Sequence, residues 1–355
     1  MLNIEIHKTN TPQKKPDENN LGFGQFFTDH MFVMDYSSKL GWHNASIIPY
    51  SPLSFEPSIM VFHYGQAVFE GLKAYRTNDD RILLFRPEKN MERLNVSCRR
   101  LCIPEIDVEF AVEVIKTLVN LDRDWVPKKE GTSLYIRPFI IATDPYLGVK
   151  PSDTYKFIII LSPVGAYYPE GMNPVKIYVE PKYTRAAKGG VGFTKTSGNY
   201  ASSLIAQVEA KKKGYTQVLW LDCIEKRYIE EVGTMNVFFK INNQVITPPL
   251  EGTILPGITR DSVIQLLKSW NIPIVERKIS IEEIYESNTK GQLEEAFGTG
   301  TAAVISPIGE LNWNDKKMII NGGNSGALSL KLYEALTGIQ YGKLPDPFSW
   351  TKEVK

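Results

Sequence analysis

Two short segments of this sequence carry residue types that can act together on an amine. Lys195 lies in a run rich in glycine, serine and threonine (residues 189–200), and Glu231 opens a second run, residues 231–236. A lysine amine forms a Schiff base with a carbonyl, most readily where a confined loop desolvates the amine and favours its neutral form. A carboxylate keeps a pyridinium nitrogen protonated, so that the ring can accept electrons. The two segments therefore predict a pyridoxal phosphate site with Lys195 and Glu231 at opposite ends of the ring.

A phosphate group needs several hydrogen-bond donors that converge on one point. Residues 255–262 enter a predicted helix, whose first backbone N–H groups form an anion site aided by the helix dipole. Residues 298–303 are a second source of open amides, but they lack the third glycine and the βαβ unit of a dinucleotide fingerprint. Arg93 can add a bidentate charge, and Tyr200 can hydrogen-bond the ring oxygen of the cofactor. Each feature alone is common at protein surfaces; their combination favours a phosphate ligand.

Two aromatic segments leave two interpretations open. Residues 63–71 include His63, Tyr64 and Phe69, and residues 134–138 include Tyr135 and Arg137. Either they line an apolar pocket that contains one guanidinium, or they form a strand core with an arginine at the surface. The pattern alone does not separate these interpretations.

The elements that must position these residues alternate between strand and helix patterns. Helices are predicted at residues 87–101, 108–122, 199–213, 258–270, after a capping box of Ser280 and Glu283, and at 325–337 before Gly338. Strands are predicted at residues 32–34, 43–48, 60–64, 133–143, 155–162, 175–180, 216–222, 228–232, 237–241, 245–247 and 274–277. Turn-forming residues at 167–174 break this periodicity and predict a linker between a smaller domain of residues 1–166 and a larger one of residues 175–355.

Composition narrows the class of protein. The 355 residues are 43% hydrophobic and 23% charged with a net charge of +1, which predicts neither a nucleic-acid partner nor a membrane surface. The polar N-terminal stretch without an apolar signal segment predicts a cytoplasmic protein. The three cysteines, Cys98, Cys102 and Cys223, do not form a disulfide framework, and neither they nor the four histidines show metal-ligand spacing. We therefore expect no metal.

These motifs, taken in order along the chain, resemble those of the branched-chain amino-acid aminotransferases of fold type IV. The similarity extends from about Gly22 to the C-terminus and includes residues 69–74, 85–87 with 90–93, 135–138, 189–200, 231–236, 255–260 and 298–302. It implies a two-domain α/β fold with a barrel-like β core in the C-terminal domain and a homodimeric assembly. It also implies transfer of the amino group of L-leucine, L-isoleucine or L-valine to 2-oxoglutarate with pyridoxal 5'-phosphate.

The resemblance assigns roles residue by residue. Lys195 is implied to hold the cofactor and to move the proton at the substrate Cα. The residues implied to bind the cofactor are Lys195, Arg93, Tyr200, Glu231, Thr234, Gly257, Ile258, Thr259 and Thr301. The residues implied to contact the substrate are Tyr64, Phe69, Tyr135, Arg137, Val149 (from a partner subunit), Tyr167, Thr301 and Ala302. Within this set, Arg137 is expected to bind the γ-carboxylate of glutamate.

The sequence also departs from the family pattern and leaves competing functions open. Mammalian members carry a Cys-x-x-Cys pair where this chain has Ala303 and Ser306, so thiol regulation of that kind is in doubt. The alternatives on the same scaffold are a D-amino-acid aminotransferase and an aminodeoxychorismate lyase. The alternative of another class is a non-catalytic phosphate-binding protein in which Lys195 is a plain anion contact.

Overall fold

The computed structural model describes residues 3–165 and 172–355. These residues form two compact units. The first unit contains residues 3–165, Thr194–Ser197 and Gly338–Lys355, and the second contains residues 172–193 and Gly198–Thr337. The predicted linker at 167–174 lies mostly outside the described residues, so the domain bounds stay a prediction. Within the described ranges, the helices are all too short or too polar to cross a bilayer.

The first unit is built on one large, mostly antiparallel sheet. Its strands are β1 (Glu5–Ile6), β2 (His30–Ser37), β3 (Gly41–Pro49), β4 (Ala67–Phe69), β5 (Leu72–Arg76), β6 (Ile82–Phe85), β7 (Ser133–Ala142), β8 (Thr154–Val164) and β18 (Thr351–Val354). Their order is β1-β3-β2-β8-β7-β5-β6-β18, and β4 also pairs with β7. Strand β7 is therefore central, and because side chains alternate along a strand, Tyr135 and Arg137 project from the same face.

The second unit is built on a second sheet. Its strands are β9 (Val175–Val179), β10 (Gln217–Leu221), β11 (Ile229–Val232), β12 (Asn236–Ile241), β13 (Gln244–Thr247), β14 (Ile274–Glu276), β15 (Leu293–Gly300), β16 (Val304–Trp313) and β17 (Lys316–Ile319). The order is β11-β10-β9-β16-β15-β12-β13-β14, with β17 paired to β16. Asn242 and Asn243 connect β12 to β13 with φ values of 48° and 61°, a conformation that asparagine tolerates better than most residues.

The helices pack against these sheets through apolar faces. They are α1 (Met60–Tyr64), α2 (Pro87–Arg100), α3 (Val108–Leu121), α4 (Ser197–Lys212), α5 (Ile258–Ser269), α6 (Ile281–Thr289) and α7 (Ala327–Gln340). Helix α3 is an example, because Ala111, Ile115 and Leu118 recur at helical spacing and are fully buried. The Asp107 side chain caps the start of this helix by accepting from the Phe110 N–H at 2.7 Å. The Ser280 cap predicted for α6 is confirmed, because its Oγ accepts from the Glu283 N–H at 3.1 Å.

One predicted element and one predicted helix end were wrong. Residues 60–64 form helix α1 instead of a strand, because Gly65 adopts φ 60° and donates its N–H to the Val61 carbonyl, which closes a helical turn. Helix α7 continues past Gly338 to Gln340. There the glycine makes room for packing, since a Cβ at that position would lie 2.5 Å from the Leu344 Cδ1.

Helix α4 buries small residues rather than its large apolar ones. Ala206 and Ala210 pack with Trp220 in a core cluster of the second unit. Leu204 and Val208, which the sequence places together on one side of this helix, are exposed. The close approach of α4 to its sheet therefore depends on alanine side chains.

Candidate active site

Main-chain hydrogen bonds hold Lys195 within the first unit. The Phe69 N–H donates to the Lys195 carbonyl at 3.0 Å, and the Lys195 N–H donates to the Ser97 Oγ at 3.0 Å. The next residue adds to the attachment: Thr196 Oγ1 donates to the Ala67 carbonyl at 2.8 Å, and Thr196 forms a β-bridge with Val68. The backbone at Lys195 is thus paired to the edge of β4, which restricts where its side chain can reach.

The Lys195 side chain shares an aromatic ring with Arg137. The Lys195 Nζ lies 4.8 Å from the centre of the Phe69 ring, and the Arg137 Cζ lies 4.6 Å from the same centre. Arg137 also donates from Nη2 to the Tyr135 hydroxyl at 2.9 Å. Its Nε is buried and has no hydrogen-bond partner among the residues that the structure describes. The arginine is half-buried, and its guanidinium retains donor capacity.

Glu70 is a buried carboxylate that the sequence analysis did not single out. Its side chain is fully buried and accepts from Arg93 Nε at 2.7 Å, from Arg93 Nη2 at 2.9 Å and from Asn90 Nδ2 at 2.9 Å. Burial by itself raises the pKa of Glu70, but the charge and hydrogen bonds of Arg93, the charge of Lys195 and the Asn90 hydrogen bond outweigh it and lower that pKa. The available signal was a lone acidic residue directly after the apolar strand β4. Because Arg93 is paired here, its predicted contact with phosphate stays a prediction.

The other predicted substrate residues of the first unit lie near one loop. The Tyr64 hydroxyl donates to the main-chain carbonyl of Leu147, two residues before Val149, whose side chain is 85% exposed. Tyr167 lies outside the described residues. The contribution of Val149 to a partner subunit stays a prediction.

Glu231 is the buried carboxylate of the second unit. It lies on β11 with 3% of its surface exposed. Its Oε1 accepts from the Leu255 N–H at 2.8 Å, and its Oε2 lies 3.4 Å from the Arg185 Nε. Arg185 also donates to the Gly192 carbonyl at 3.1 Å, in the loop that precedes Lys195 in sequence. Arg185 was not predicted as a site residue, since an arginine in a polar loop gives no sequence pattern that marks it as buried.

Asn236 joins the start of α5 to the end of β15. Its Nδ2 donates to the Leu255 carbonyl at 2.9 Å, and a Cβ on Gly257 would lie 1.9 Å from its Oδ1, so only glycine fits at this helix start. Asn236 pairs with Thr299 across β12 and β15. The Thr299 Oγ1 is buried without a hydrogen-bond partner in the described part of the chain. Two predicted phosphate-binding segments therefore meet at Asn236.

The remaining predicted cofactor and substrate residues lie at the starts of helices α4 and α5 and just after strands β11 and β15. Thr259 is buried in the first turn of α5, Tyr200 is half-buried in the first turn of α4, and Thr234 is exposed in the turn after β11. Thr301 and Ala302 are half-buried between β15 and β16. Met235 packs against the glycines at the end of β15, because a Cβ on Gly298 would lie 2.7 Å from its Cε.

Known proteins are similar to this chain over most of its length. A family model described as amino-transferase class IV matches residues 67–311. The chain belongs to the class IV aminotransferases. Branched-chain-amino-acid aminotransferase 2 of Bacillus subtilis (strain 168) is 62% identical to this aminotransferase over 99% of the chain and 97% of the relative. Branched-chain-amino-acid transaminase 1 of the same organism is 59% identical over 99% of each.

Solved structures of branched-chain aminotransferases share the fold of this aminotransferase. The Escherichia coli enzyme gives a TM-score of 0.78 at 28% identity, covering 92% of this chain and 99% of that chain. The enzyme of the archaeon Thermoproteus uzoniensis, solved with norvaline, gives a TM-score of 0.76 at 26% identity, covering 92% and 100%. The predicted α/β class of fold type IV is thereby confirmed, and class IV aminotransferases depend on pyridoxal phosphate and act on amino and oxo acids.

Proposed function

We propose that this aminotransferase reversibly transfers the amino group of L-leucine, L-isoleucine or L-valine to 2-oxoglutarate, giving a branched 2-oxo acid and L-glutamate. The names of the two Bacillus subtilis relatives support this substrate class. The observation that carries it is Arg137 placed over the Phe69 ring, at 4.6 Å. A site that must accept both an aliphatic branch and a carboxylate needs an apolar wall with one cation, and this pair provides both.

The residues present fit pyridoxal 5'-phosphate. Glu231 is a buried carboxylate suited to a pyridine nitrogen. The α5 start has no side-chain cap at Gly257, and the nearby Thr299 hydroxyl is buried without a partner in the described ranges, as expected beside a phosphate. The cofactor-binding residues we propose are Arg93, Tyr200, Glu231, Thr234, Gly257, Ile258, Thr259 and Thr301, with Lys195 as the covalent attachment.

Lys195 is the residue we propose to move protons in the reaction. When bound, pyridoxal phosphate supplies a carbonyl carbon for amines and a protonated ring that accepts electrons. With the cofactor bound, the Lys195 amine in its neutral form would carry the proton between the substrate Cα and the carbon that the cofactor's carbonyl supplies. The main-chain bonds to Phe69 and Ser97 hold Lys195 in place for this transfer.

The proposed substrate contacts are of two kinds, apolar side chains and groups that bind carboxylates. We propose that Tyr64, Phe69, Tyr135, Tyr167 and a partner subunit's Val149 enclose the aliphatic side chain. Thr301 and Ala302 offer main-chain N–H groups to the α-carboxylate. Arg137 takes the γ-carboxylate of glutamate. A homodimer, a cytoplasmic location and domains at residues 1–166 and 175–355 belong to the same proposal.

One assay and one chemical trap test the proposal. L-leucine with 2-oxoglutarate should yield glutamate, and Lys195→Ala should reduce the rate by at least about 10²-fold. Borohydride reduction followed by peptide mapping should leave the cofactor label on Lys195. Product from D-alanine alone, or a label on another residue, would overturn the assignment.

A further inference from the structure

The second unit contains a small cavity beside strand β11. Its volume is about 140 Å³. Glu230 lines it, together with Tyr228, Cys223, Pro248 and Ile254. Glu231 and the other residues proposed to hold the cofactor are not among the described residues that line it. The cavity is therefore separate from the residues proposed to hold the cofactor.

Glu230 is a buried carboxyl group with unused acceptor capacity. Only 6% of its surface is exposed, and its Oε2 has no hydrogen-bond partner within residues 3–165 and 172–355. Burial raises the pKa of Glu230; a hydrogen bond from Thr253 and the charges of Arg185 and Lys226 lower it in part, whereas Asp222 raises it further. A buried carboxyl oxygen without a donor costs free energy, and a cationic donor in the cavity would remove that cost.

The remaining charges of the lining are already engaged or exposed. Asp222 accepts backbone N–H groups from residues 224, 225, 227 and 228. Glu251 lies 3.5 Å from Lys278 in an ion pair at the surface. Lys188 and Glu225 also line the cavity, and both are exposed to solvent. Pro248 and Ile254 supply an apolar part of the wall. The cavity thus combines one unsatisfied buried acceptor with a short apolar surface.

We propose that this cavity binds a small primary ammonium compound with a short aliphatic chain. The ammonium group donates to the Glu230 Oε2, and the chain packs against Pro248 and Ile254. Attraction between the ammonium and the carboxylate favours the ionised form of Glu230, so that the ligand binds more tightly as the pH rises through the pKa of this group. This inference does not depend on the proposed transaminase function.

The cavity shares a loop with the Glu231 carboxylate. Thr253 hydrogen-bonds Glu230, while the N–H of Leu255, two residues later, donates to Glu231. Arg185 donates to the Thr253 carbonyl on the same loop and pairs with Glu231. A ligand bound in the cavity would therefore contact the loop segment, Thr253 to Leu255, that positions Glu231.

Cys223 offers a local reporter for occupancy. It lines the cavity and is partly exposed, whereas Cys102 is exposed elsewhere and Cys98 is buried, which raises the pKa of its thiol to about 12. Iodoacetamide alkylation, read peptide by peptide, should slow at Cys223 and not at Cys102 when isobutylammonium is added. The slowing should be about tenfold at about ten times the dissociation constant of the probe.

Matched probes and variants test whether binding depends on the positive charge of the ligand and on the Glu230 carboxylate. Isobutanol and isobutyrate have similar shapes but no positive charge, and they should protect Cys223 weakly or not at all. Glu230→Gln should abolish protection by isobutylammonium, while Glu251→Gln should preserve it. Protein reduced beforehand with borohydride should behave like the untreated protein, which separates this site from any reaction at Lys195.

Three outcomes would overturn the proposal. Equal protection by isobutanol would show that the cavity selects shape and not charge. Equal slowing at Cys102 would indicate a general effect of the salt. No protection in the wild-type protein, whatever the behaviour of the variants, would show that Glu230 is only a buried structural residue.

Discussion

The amide of Phe69 donates to the carbonyl of Lys195 at 3.0 Å, and the ring of the same phenylalanine lies 4.8 Å from the Lys195 Nζ. One residue therefore contacts both the backbone and the amine of the proposed catalytic lysine. The ring also faces Arg137 at 4.6 Å. Because Lys195 and Arg137 both approach one aromatic ring, Phe69 links the proposed proton transfer to the proposed recognition of glutamate.

Phe69→Leu should keep the main-chain bond to Lys195 and remove the aromatic face. Cation–π contacts contribute about 0.5–2 kcal/mol each, so we expect kcat/KM with glutamate to fall about tenfold. Steady-state kinetics with glutamate and with leucine will measure this. Phe69→Tyr retains the ring and should lose much less; equal losses in both variants would argue against a role for the aromatic face.

Glu70→Gln should destabilise the protein because it leaves the buried Arg93 guanidinium without its counter-charge. Removing one partner of a buried ion pair costs about 3–5 kcal/mol, to be measured by urea unfolding at pH 7. The pKa of Glu70 is lowered in the fold, so its stabilisation is present above the unfolded pKa and is lost as the pH falls through the folded pKa. The difference in the free energy of unfolding between wild type and variant should therefore shrink in acid.

A surface pair provides the control for this measurement. Glu113 contacts Lys116 at 2.8 Å, but its side chain is 63% exposed. Glu113→Gln should change the free energy of unfolding by less than about 1 kcal/mol at pH 7. If the two variants were equally stable, the Glu70–Arg93 pair would not hold the first unit together.

Glu231→Gln should lower kcat by about 10²–10³-fold, because a neutral amide cannot balance a positive charge on the cofactor ring. Glu231→Asp keeps the charge and should recover part of the loss. Single-turnover rates with leucine, together with the absorbance of the bound cofactor, separate slower chemistry from weaker binding. Glu251→Gln, on the adjoining loop, should leave the rate unchanged, and an active Glu231→Gln enzyme would contradict the assignment.

Arg137→Gln should discriminate between the two substrate classes. A hydrogen bond to a charged group contributes about 1.5–3 kcal/mol, so KM for glutamate and for 2-oxoglutarate should rise about 10–100-fold. The KM for leucine should change little, since its side chain offers no carboxylate. If KM for leucine increased equally, Arg137 would be supporting the pocket in general rather than reading the γ-carboxylate.

Local sequence patterns predicted most helices and strands, and they failed where tertiary packing determines the structure. The amphipathic spacing of α3 and the Ser280 cap of α6 depend only on neighbouring residues, and both are found in the structure. Residues 60–64 were predicted to form a strand, but in the structure they form a helix that ends at Gly65. Gly338 would stop an isolated helix, but α7 continues past it to Gln340, and the absence of a Cβ leaves room for Leu344.

By itself, the sequence determined the chemical groups: a lysine in a confined glycine-rich loop, a carboxylate at the end of a strand, a helix start with open N–H groups and one arginine among aromatic residues. These follow from residue type and short spacing. Only the tertiary structure decided their partners, because Phe69 with Lys195, Glu70 with Arg93, and Glu231 with Arg185 join residues that are distant along the chain. Such pairs depend on strand register and burial, which no local pattern encodes.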